Sequence, residues 1–502
     1  MYQLTYVALF GFPLLSMMLF LRFGVQRGIV WTVMLGFLFL PLRPTFDLPL
    51  LPEVNRITIS VVCASLFAVF MMRGRGWTAQ NAGGESQSWL PRSKVAVAFV
   101  VIALVSPVFT IFNNQDWGPS AFGYLLPVSF TDIGNMAYQV GFPIILLLLG
   151  RRLLADQRGV LTLLKAAGIL GVAYGALIIF EWRLSPMLKF WVYGIWDINW
   201  SLVMRGDGFR PVVFLENGLQ TAIFQSMACT CAVSVFRHST GGDRTLWRMI
   251  ALFNLACLPF TLSMAAIVLG FGFSLIAFFG LKRQILLVVA LIAASVFTYP
   301  LLRTLEVVPT KQILAVAASV SEVRASSLET RFTSEDRYIE RALHRPLFGW
   351  AQRTRDLPRD EDDKPSAIPD GNWTIIITQR GFIAFVAIYG LFTLPTIILW
   401  LKRRVAPINH LVLGLSLAIC VALIDKLLNS FFTPLLWLGS GALLGVTERV
   451  VFKESNDAAE ERRAALEMER RKRRAHTELG ATLGEKRPVG GRSKHGLAHA
   501  RR

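Results

Sequence analysis

Apolar residues along this chain gather into blocks of roughly 17–25 positions, the length at which a helix crosses the hydrocarbon core of a bilayer. The blocks fall at 3–21, 28–41, 57–72, 95–112, 133–149, 160–180, 212–235, 246–260, 262–280, 284–302, 375–400, 409–425 and 430–448. The pattern predicts an all-α integral membrane protein with about 12–13 transmembrane helices. Between the blocks, Lys and Arg are distributed unevenly. Arg22/Arg27, Arg73/Arg75/Arg92/Lys94, Arg151/Arg152/Arg158, Arg237/Arg244/Arg248, Lys282/Arg283 and Lys402/Arg403/Arg404 occupy alternate connections, and 113–132 contains neither residue. Basic connections stay in the cytoplasm, so the N-terminus is expected outside and the C-terminal tail inside.

This alternation organises the chain. Residues 1–302 are expected to form a transmembrane bundle with outer loops at 113–132 and 181–211, the second rich in Trp. Residues 303–374 form one large, late, extracytoplasmic loop, periplasmic in a bacterium and partly helical. In it 311–324 reads as a small apolar helix lying along the membrane surface or on the bundle. A second helix is expected over 334–344, with Thr333 and Asp336 spaced as a capping box and Tyr338, Ile339, Ala342 and Leu343 as its buried stripe. The C-terminal transmembrane helices occupy 375–448. The tail, 449–502, reads as a short charged helix followed by disorder.

Composition narrows the class. With 54% hydrophobic and 17% charged residues, a cytoplasmic enzyme, a disulfide scaffold and a disordered chain are all excluded. The net charge of +19 does not indicate nucleic acid, because 15 Lys/Arg against 8 Asp/Glu place +7 of it in the tail and most of the rest orients loops. All five cysteines sit in apolar blocks and read as small core residues. Arg22, the first basic residue, follows the first apolar block, so no cleavable leader is expected. No phosphate-binding glycine loop, metal-ligand spacing or Ser-His-Asp arrangement is present, and no metal or cofactor is expected.

The expected outer side instead carries arginine: Arg205, Arg210, Arg324, Arg331, Arg337, Arg341 and Arg345. Arg205 and Arg210 precede a span that continues Pro211-Val-Val-Phe-Leu-Glu216-Asn217-Gly218. Ionisable groups at that depth tend to face a cavity, and guanidinium forks match the paired oxygens of a diphosphate. The alternative is an Arg210–Glu216 pair that only orients the helix.

At these residues the sequence resembles the O-antigen ligase and O-antigen polymerase superfamily. Arg205-x-x-Gly208-Phe209-x-Pro211 is similar to its arginine–glycine–proline stretch, and Phe260-Thr-Leu-Ser263-Met-Ala-Ala to its Leu-Thr-x-Ser-Arg-Gly-Ala block. Arg331, then Arg337-Tyr-Ile-Glu-Arg-Ala-Leu, then Pro346-Leu-Phe-Gly349-Trp350, resembles its loop signature. Asp370-Gly-Asn372-Trp373 followed by Gln379-x-Gly381 stands where the family has a His-Asn pair and then a glycine. The resemblance covers roughly 205–400. Two departures stand out: Met264-Ala265 replaces an Arg-Gly, and Asp370 replaces the histidine.

The resemblance implies a metal-independent glycosyltransferase of the integral-membrane C type in the bacterial cytoplasmic (inner) membrane. Its donor would be a polyprenyl-diphosphate-linked glycan, and its reaction the inverting polymerisation of repeat units into a surface polysaccharide or exopolysaccharide. Its partners would be that glycan, membrane lipids and other assembly or export proteins, with no nucleic acid. Asp370 is the expected general base, with His344 as second candidate; Asp370 could also simply cap the next helix. Arg205, Arg210, Glu216, Arg331, Arg337 and Trp373 are the expected contacts to diphosphate and glycan. A ligase that transfers the glycan to a lipid core is the nearest alternative. A transporter is disfavoured, because Lys165, Glu216, Asp425 and Lys426, the ionisable residues within spans, all stand near span ends. A non-catalytic export component is the third reading.

The topology predicts that reporter fusions at about residue 360 and at the C-terminus report opposite compartments. The same compartment at both would overturn the sidedness and, with it, the expected site.

Overall fold

The computed structural model describes residues 2–43, 45, 53–73, 88–120, 123–129, 131–205, 208–352, 355–359, 366–367, 370–404 and 408–451. The acidic run 360–363 and nearly all of the tail lie outside them. The chain divides into two units, Met1–Glu448 and Arg449–Arg502.

The first unit is a helical bundle: α1 (Tyr2–Phe39), α2 (Arg56–Arg73), α3 (Lys94–Phe112), α4 (Thr131–Leu153), α5 (Gln157–Leu184), the short α6 (Leu188–Tyr193) and α7 (Trp200–Val203), then α8 (Gly218–His238), α9 (Gly241–Cys257), α10 (Met264–Phe279) and α11 (Lys282–Thr304). Next come α12 (Thr310–Val320), α13 (Glu322–Leu343), α14 (Asn372–Leu401), α15 (His410–Leu428) and a last helix, α16, over 434–451. Each apolar block falls mainly on a helix, although the block 212–235 begins six residues before α8. Among the described residues nine helices are long and apolar enough to cross a membrane, as a multi-pass membrane protein requires. The only strand ladders described are two hairpins, Gly118–Ser120 with Gly123–Leu125 and Met204–Arg205 with Gly208–Phe209.

α8 is the central helix, buried along nearly its whole length. Its sequence explains how neighbours reach it. Ser226, Thr230 and Ser234 recur every fourth position and return their hydroxyls to the carbonyls of Ala222 (3.0 Å), Ser226 (3.1 Å) and Thr230 (2.7 Å). That face is thus small and self-satisfied, and it takes glycines from its neighbours. A methyl on Gly270 of α10 would lie 3.3 Å from the Ser226 Cα, and one on Gly414 of α15 would strike Ser234; on the other side of α8, one on Gly171 of α5 would lie 2.5 Å from the Ala228 Cβ.

Two long helices are not single spans. α1 has 38 residues, about 57 Å of helix, against a hydrocarbon core of about 30 Å. It breaks at Gly24 (φ 76°, ψ 179°), and residues equidistant from that break pack together. Cβ atoms on Gly28 and Gly36 would lie 2.7 Å from Phe20 and 2.9 Å from Phe12. The chain therefore doubles back at Gly24, and α1 contains both predicted blocks.

α14 breaks the same way at Gly381 (φ 78°, ψ 173°). The Tyr389 hydroxyl donates to Asn372 Oδ1 (3.2 Å), although a continuous helix would separate these residues by about 25 Å. The block at 375–400 is therefore not one crossing. Residues 372–380 form a half-helix that folds back on 382–401. The backbone groups freed at the break find partners in 346–351. The Thr378 and Gln379 carbonyls accept from Trp350 (2.7 Å) and Ala351 (2.9 Å), and the Phe382 amide donates to the Pro346 carbonyl (2.7 Å). Gly349, at φ 68°, makes the approach possible: a Cβ there would lie 2.5 Å from the Arg380 nitrogen.

The large connections meet at one end of the bundle. Asp116 pairs with Arg345 and Arg355 (2.7 Å each), Asn114 accepts from both, and Arg355 also donates to the Leu126 carbonyl (2.7 Å). Residues 113–128 are thereby tied to the segment after α13. α13 itself departs from expectation, because it runs from Glu322 and places Thr333 and Asp336 mid-helix. Asp336 pairs with Arg303 of α11 (2.8 Å), as does Glu335 (3.1 Å), so this carboxylate docks the helix and does not cap it.

Gly381→Ala and Gly349→Ala should each destabilise the purified protein by about 1–3 kcal/mol or more, because each forces a positive φ and a backbone clash. Gly11→Ala, in open helical surroundings, serves as control. A thermal midpoint unchanged in all three would show that the break does not hold the fold.

Candidate functional site

The site is built from the connection between α7 and α8, where the chain has no regular structure of its own after Phe209. Its anchor is Glu181, fully buried at the end of α5. One carboxylate oxygen accepts from the Val212 (2.8 Å) and Val213 (2.7 Å) amides, and the other from Leu188 (3.1 Å). Arg56 of α2 holds the Phe214 carbonyl (3.1 Å), and Thr221 holds that of Val212 (2.8 Å). Gripped on both sides, Val213 adopts a left-handed conformation (φ 56°) that a valine otherwise avoids. Asn217 then caps α8, accepting from Leu219 (3.0 Å) and Gln220 (3.1 Å).

This arrangement fixes Arg210, which is 9% exposed. Its amide donates to the Val203 carbonyl (2.8 Å), and its Nη2 donates to that of Leu262 (3.3 Å), a residue in the left-handed region (φ 49°). Gly218 leaves room for the arginine stem, since any Cβ there would strike its Cγ and Cδ. The Arg210 Nε is buried with no hydrogen-bond partner among the described residues. Burial first, then the neighbouring Arg205 and Arg331, push its pKa down to about 10, so it remains a cation near neutrality.

Arg205, Arg210 and Arg331 line one cavity of about 730 Å³. They come from two segments more than a hundred residues apart. Arg331 is half-buried on α13 and donates to the Leu428 carbonyl at the end of α15 (3.0 Å). Its Nε lies 3.7 Å from Asp370 Oδ2. Pro259 and Leu262 through Ile267, the segment that resembles a family block, also line the cavity, Met264 and Ala265 among them. Asp425 of α15 supplies a carboxylate to the same cavity, its Oδ1 accepting from Asn429 Nδ2 (2.6 Å).

The other expected residues are placed differently. Asp370 lines a crevice of about 10 Å³ behind Arg331, with room for about one water. Burial raises its pKa, and Arg331 opposes the shift. It does not cap α14, where Gly371 holds the cap position without a side-chain bond. Glu216 is exposed, makes no ion pair with Arg210 among the described residues, and acts electrostatically on Arg56 and Lys426. Arg337 is exposed, six positions from Arg331 and so about 240° round the helix, and donates to the Ser366 carbonyl. His344 ends α13 about 20 Å further along its axis than Arg331, too far to serve as base there. Trp373 is fully buried, its ring edge-on to Tyr299 (5.3 Å) and its indole N–H on the Leu427 carbonyl (3.2 Å); it packs helices and cannot reach a glycan.

Two residues were not singled out from sequence. Glu181 ends an ordinary amphipathic-looking helix, and only its three backbone partners reveal its work. Asp425 did carry a signal, being a carboxylate beside a lysine in a nineteen-residue apolar helix. No family model, no curated protein and no solved structure matches the chain.

Glu181→Ala should free the 211–217 segment. Each hydrogen bond to a charged acceptor contributes about 1.5–3 kcal/mol, so amide exchange at Val212 and Val213 should accelerate by about tenfold or more. Mass-spectrometric exchange on this segment, with α9 as internal reference, measures it; equal protection in both proteins would remove Glu181 as the anchor.

Proposed function

We propose that this protein is a membrane glycosyltransferase that polymerises polyprenyl-diphosphate-linked oligosaccharide repeat units into a cell-surface polysaccharide, working at the outer face of the bacterial cytoplasmic membrane. The observation that carries this reading is the convergence of Arg205, Arg210 and Arg331 on one cavity whose wall also holds a carboxylate. Three guanidiniums, one with an unused buried N–H, form a site for a multiply charged anion such as a diphosphate. The motif resemblance supplies the substrate class, and its separate blocks line this cavity or the break in α14 beside it.

The chemistry needs few parts. An acceptor sugar hydroxyl attacks the anomeric carbon of the donor; the new C–O bond forms as the bond to the diphosphate breaks, with inversion. The three arginines stabilise the charge that develops on the departing lipid diphosphate. The hydroxyl proton passes to a carboxylate within hydrogen-bond reach. Asp425 lines the cavity and takes that role, whereas Asp370, 3.7 Å from the Arg331 Nε and outside the cavity lining, positions Arg331.

Arg210→Lys keeps the charge but loses the fork, and should impair polymer formation nearly as much as Arg210→Ala. Full-length polymer from a well-expressed Arg210→Ala strain would remove this residue from the site. Asp425→Asn should lower the rate by roughly 10²–10⁴-fold at unchanged abundance. Asp370→Asn should act more weakly, since the Leu428 carbonyl still holds Arg331; the reverse order would return the base to Asp370. A deletion strain separates the acceptors: retained single repeats mean polymerisation, and accumulated finished lipid-linked chains mean ligation.

A further inference from the structure

A second cavity, of about 350 Å³, lies against the half-helix 372–380, between α4, the rest of α14 and the end of α15. Its walls are mostly apolar, with Ile376, Ile388, Phe392 and Trp437 among them, but two cations face into it: Arg380 and Lys426. Both are more than nine-tenths buried, at 7% and 4% exposure. No carboxylate lines this cavity among the described residues.

Neither cation makes an ion pair among the described residues, although Asp425 and Glu216 act electrostatically on Lys426. The Arg380 Nη2 donates to Gln139 Oε1 (2.8 Å), a neutral partner, and its Nε has no hydrogen-bond partner among the described residues. The Lys426 ammonium is held by the Phe431 carbonyl, also neutral. The acids around it have partners of their own: Asp425, which acts on Lys426 electrostatically, accepts from Asn429 and lines the larger cavity, and Asp356 accepts from Gln379 Nε2 (2.8 Å). Glu216 acts on Lys426 only from an exposed position. Two buried cations sharing an apolar chamber are unfavourable unless an anion joins them. The break at Gly381 makes the placement rigid, because it ends the half-helix at Arg380 and locks that end onto 346–351.

The geometry points to a second anion site, separate from the arginine cavity, that takes a phosphate-class group between Arg380 and Lys426 with its apolar substituent, where it has one, along the Ile376–Phe392 wall. The volume lies within the roughly 300–1,000 Å³ of ligand pockets. Guanidinium and ammonium together suit a phosphate mono- or diester, which free phosphate or a phospholipid head group would each supply. The inference does not depend on the glycosyltransferase reading.

The test uses full-length protein delipidated in a phosphate-free maltoside detergent, with Arg210→Ala as background so that the larger cavity contributes less. Inorganic phosphate and phosphatidylglycerol are titrated separately, and binding is read by equilibrium dialysis of labelled ligand and by the thermal midpoint. Saturable binding of phosphate assigns the free anion, and binding of phosphatidylglycerol alone assigns the head group. Either should weaken at least tenfold in Arg380→Gln and in Lys426→Gln. Arg380→Lys, which keeps the charge where the glutamine variant fails to fold, should retain part of the affinity. Absence of saturable binding by both probes, or affinity unchanged in Lys426→Gln and Arg380→Lys alike, would overturn the site.

Discussion

A helix that stops inside a membrane protein leaves carbonyls and amides without partners, and lipid supplies none. The organisation of this molecule depends on how one such interruption, at Gly381, is satisfied. The Thr378 and Gln379 carbonyls and the Phe382 amide turn to residues 346–351. That exchange docks the end of the α13 connection onto α14, and the Asn114–Asp116 network then ties in the loop after α3. Glycines occur where two backbones come closest: Gly381 and Gly349 both have positive φ, and a side chain on either would collide with the other strand of the exchange.

Charge is handled by a related economy. Buried acids in this bundle are given structural work: Glu181 gathers three backbone amides, Glu335 docks α13 through Arg303, and Glu448 pairs with Arg151 (2.6 Å). Four of the five cations that line the two cavities are treated differently, the fifth, Arg331, lying 3.7 Å from Asp370. Arg205, Arg210, Arg380 and Lys426 have hydrogen bonds to neutral oxygens. Positive charge held in partly desolvated cavities by neutral partners is poised for an anion, because low dielectric strengthens whatever attraction a ligand brings.

The family-like motifs acquire a physical meaning in this frame. Pro346-Leu-Phe-Gly349 and Gln379-x-Gly381, distant in sequence, are the two halves of one backbone exchange. The stretch Arg205-x-x-Gly208-Phe209-x-Pro211, through Arg205 and Arg210, and the Leu262–Ala266 segment line one cavity side by side, joined by the Arg210 bond to the Leu262 carbonyl. Their residue types are restricted by close approach and by a charge held in place, so they stand out from the apolar background around them.

The sequence by itself determined the class and the helices. Apolar length alone sets where a chain can cross lipid, so the thirteen blocks are legible without any tertiary information, as is the arginine enrichment of particular connections. The reversal at Gly24 falls in the predicted connection between blocks 3–21 and 28–41, but the one at Gly381 was not legible, because a glycine between apolar residues reads equally well as an uninterrupted helix or a turn; only contacts such as Asn372 to Tyr389 distinguish them. Tertiary structure also decided which arginines act together. Arg331 and Arg337 lie about 9 Å apart along α13 and about 240° apart round it, and their facing acquires meaning once Arg303 has docked the helix. Asp425 and Trp373 make the same point in opposite directions: a carboxylate in an apolar run faces a cavity, and a tryptophan at a span mouth is packed away, because burial is a property of neighbours and not of the residue.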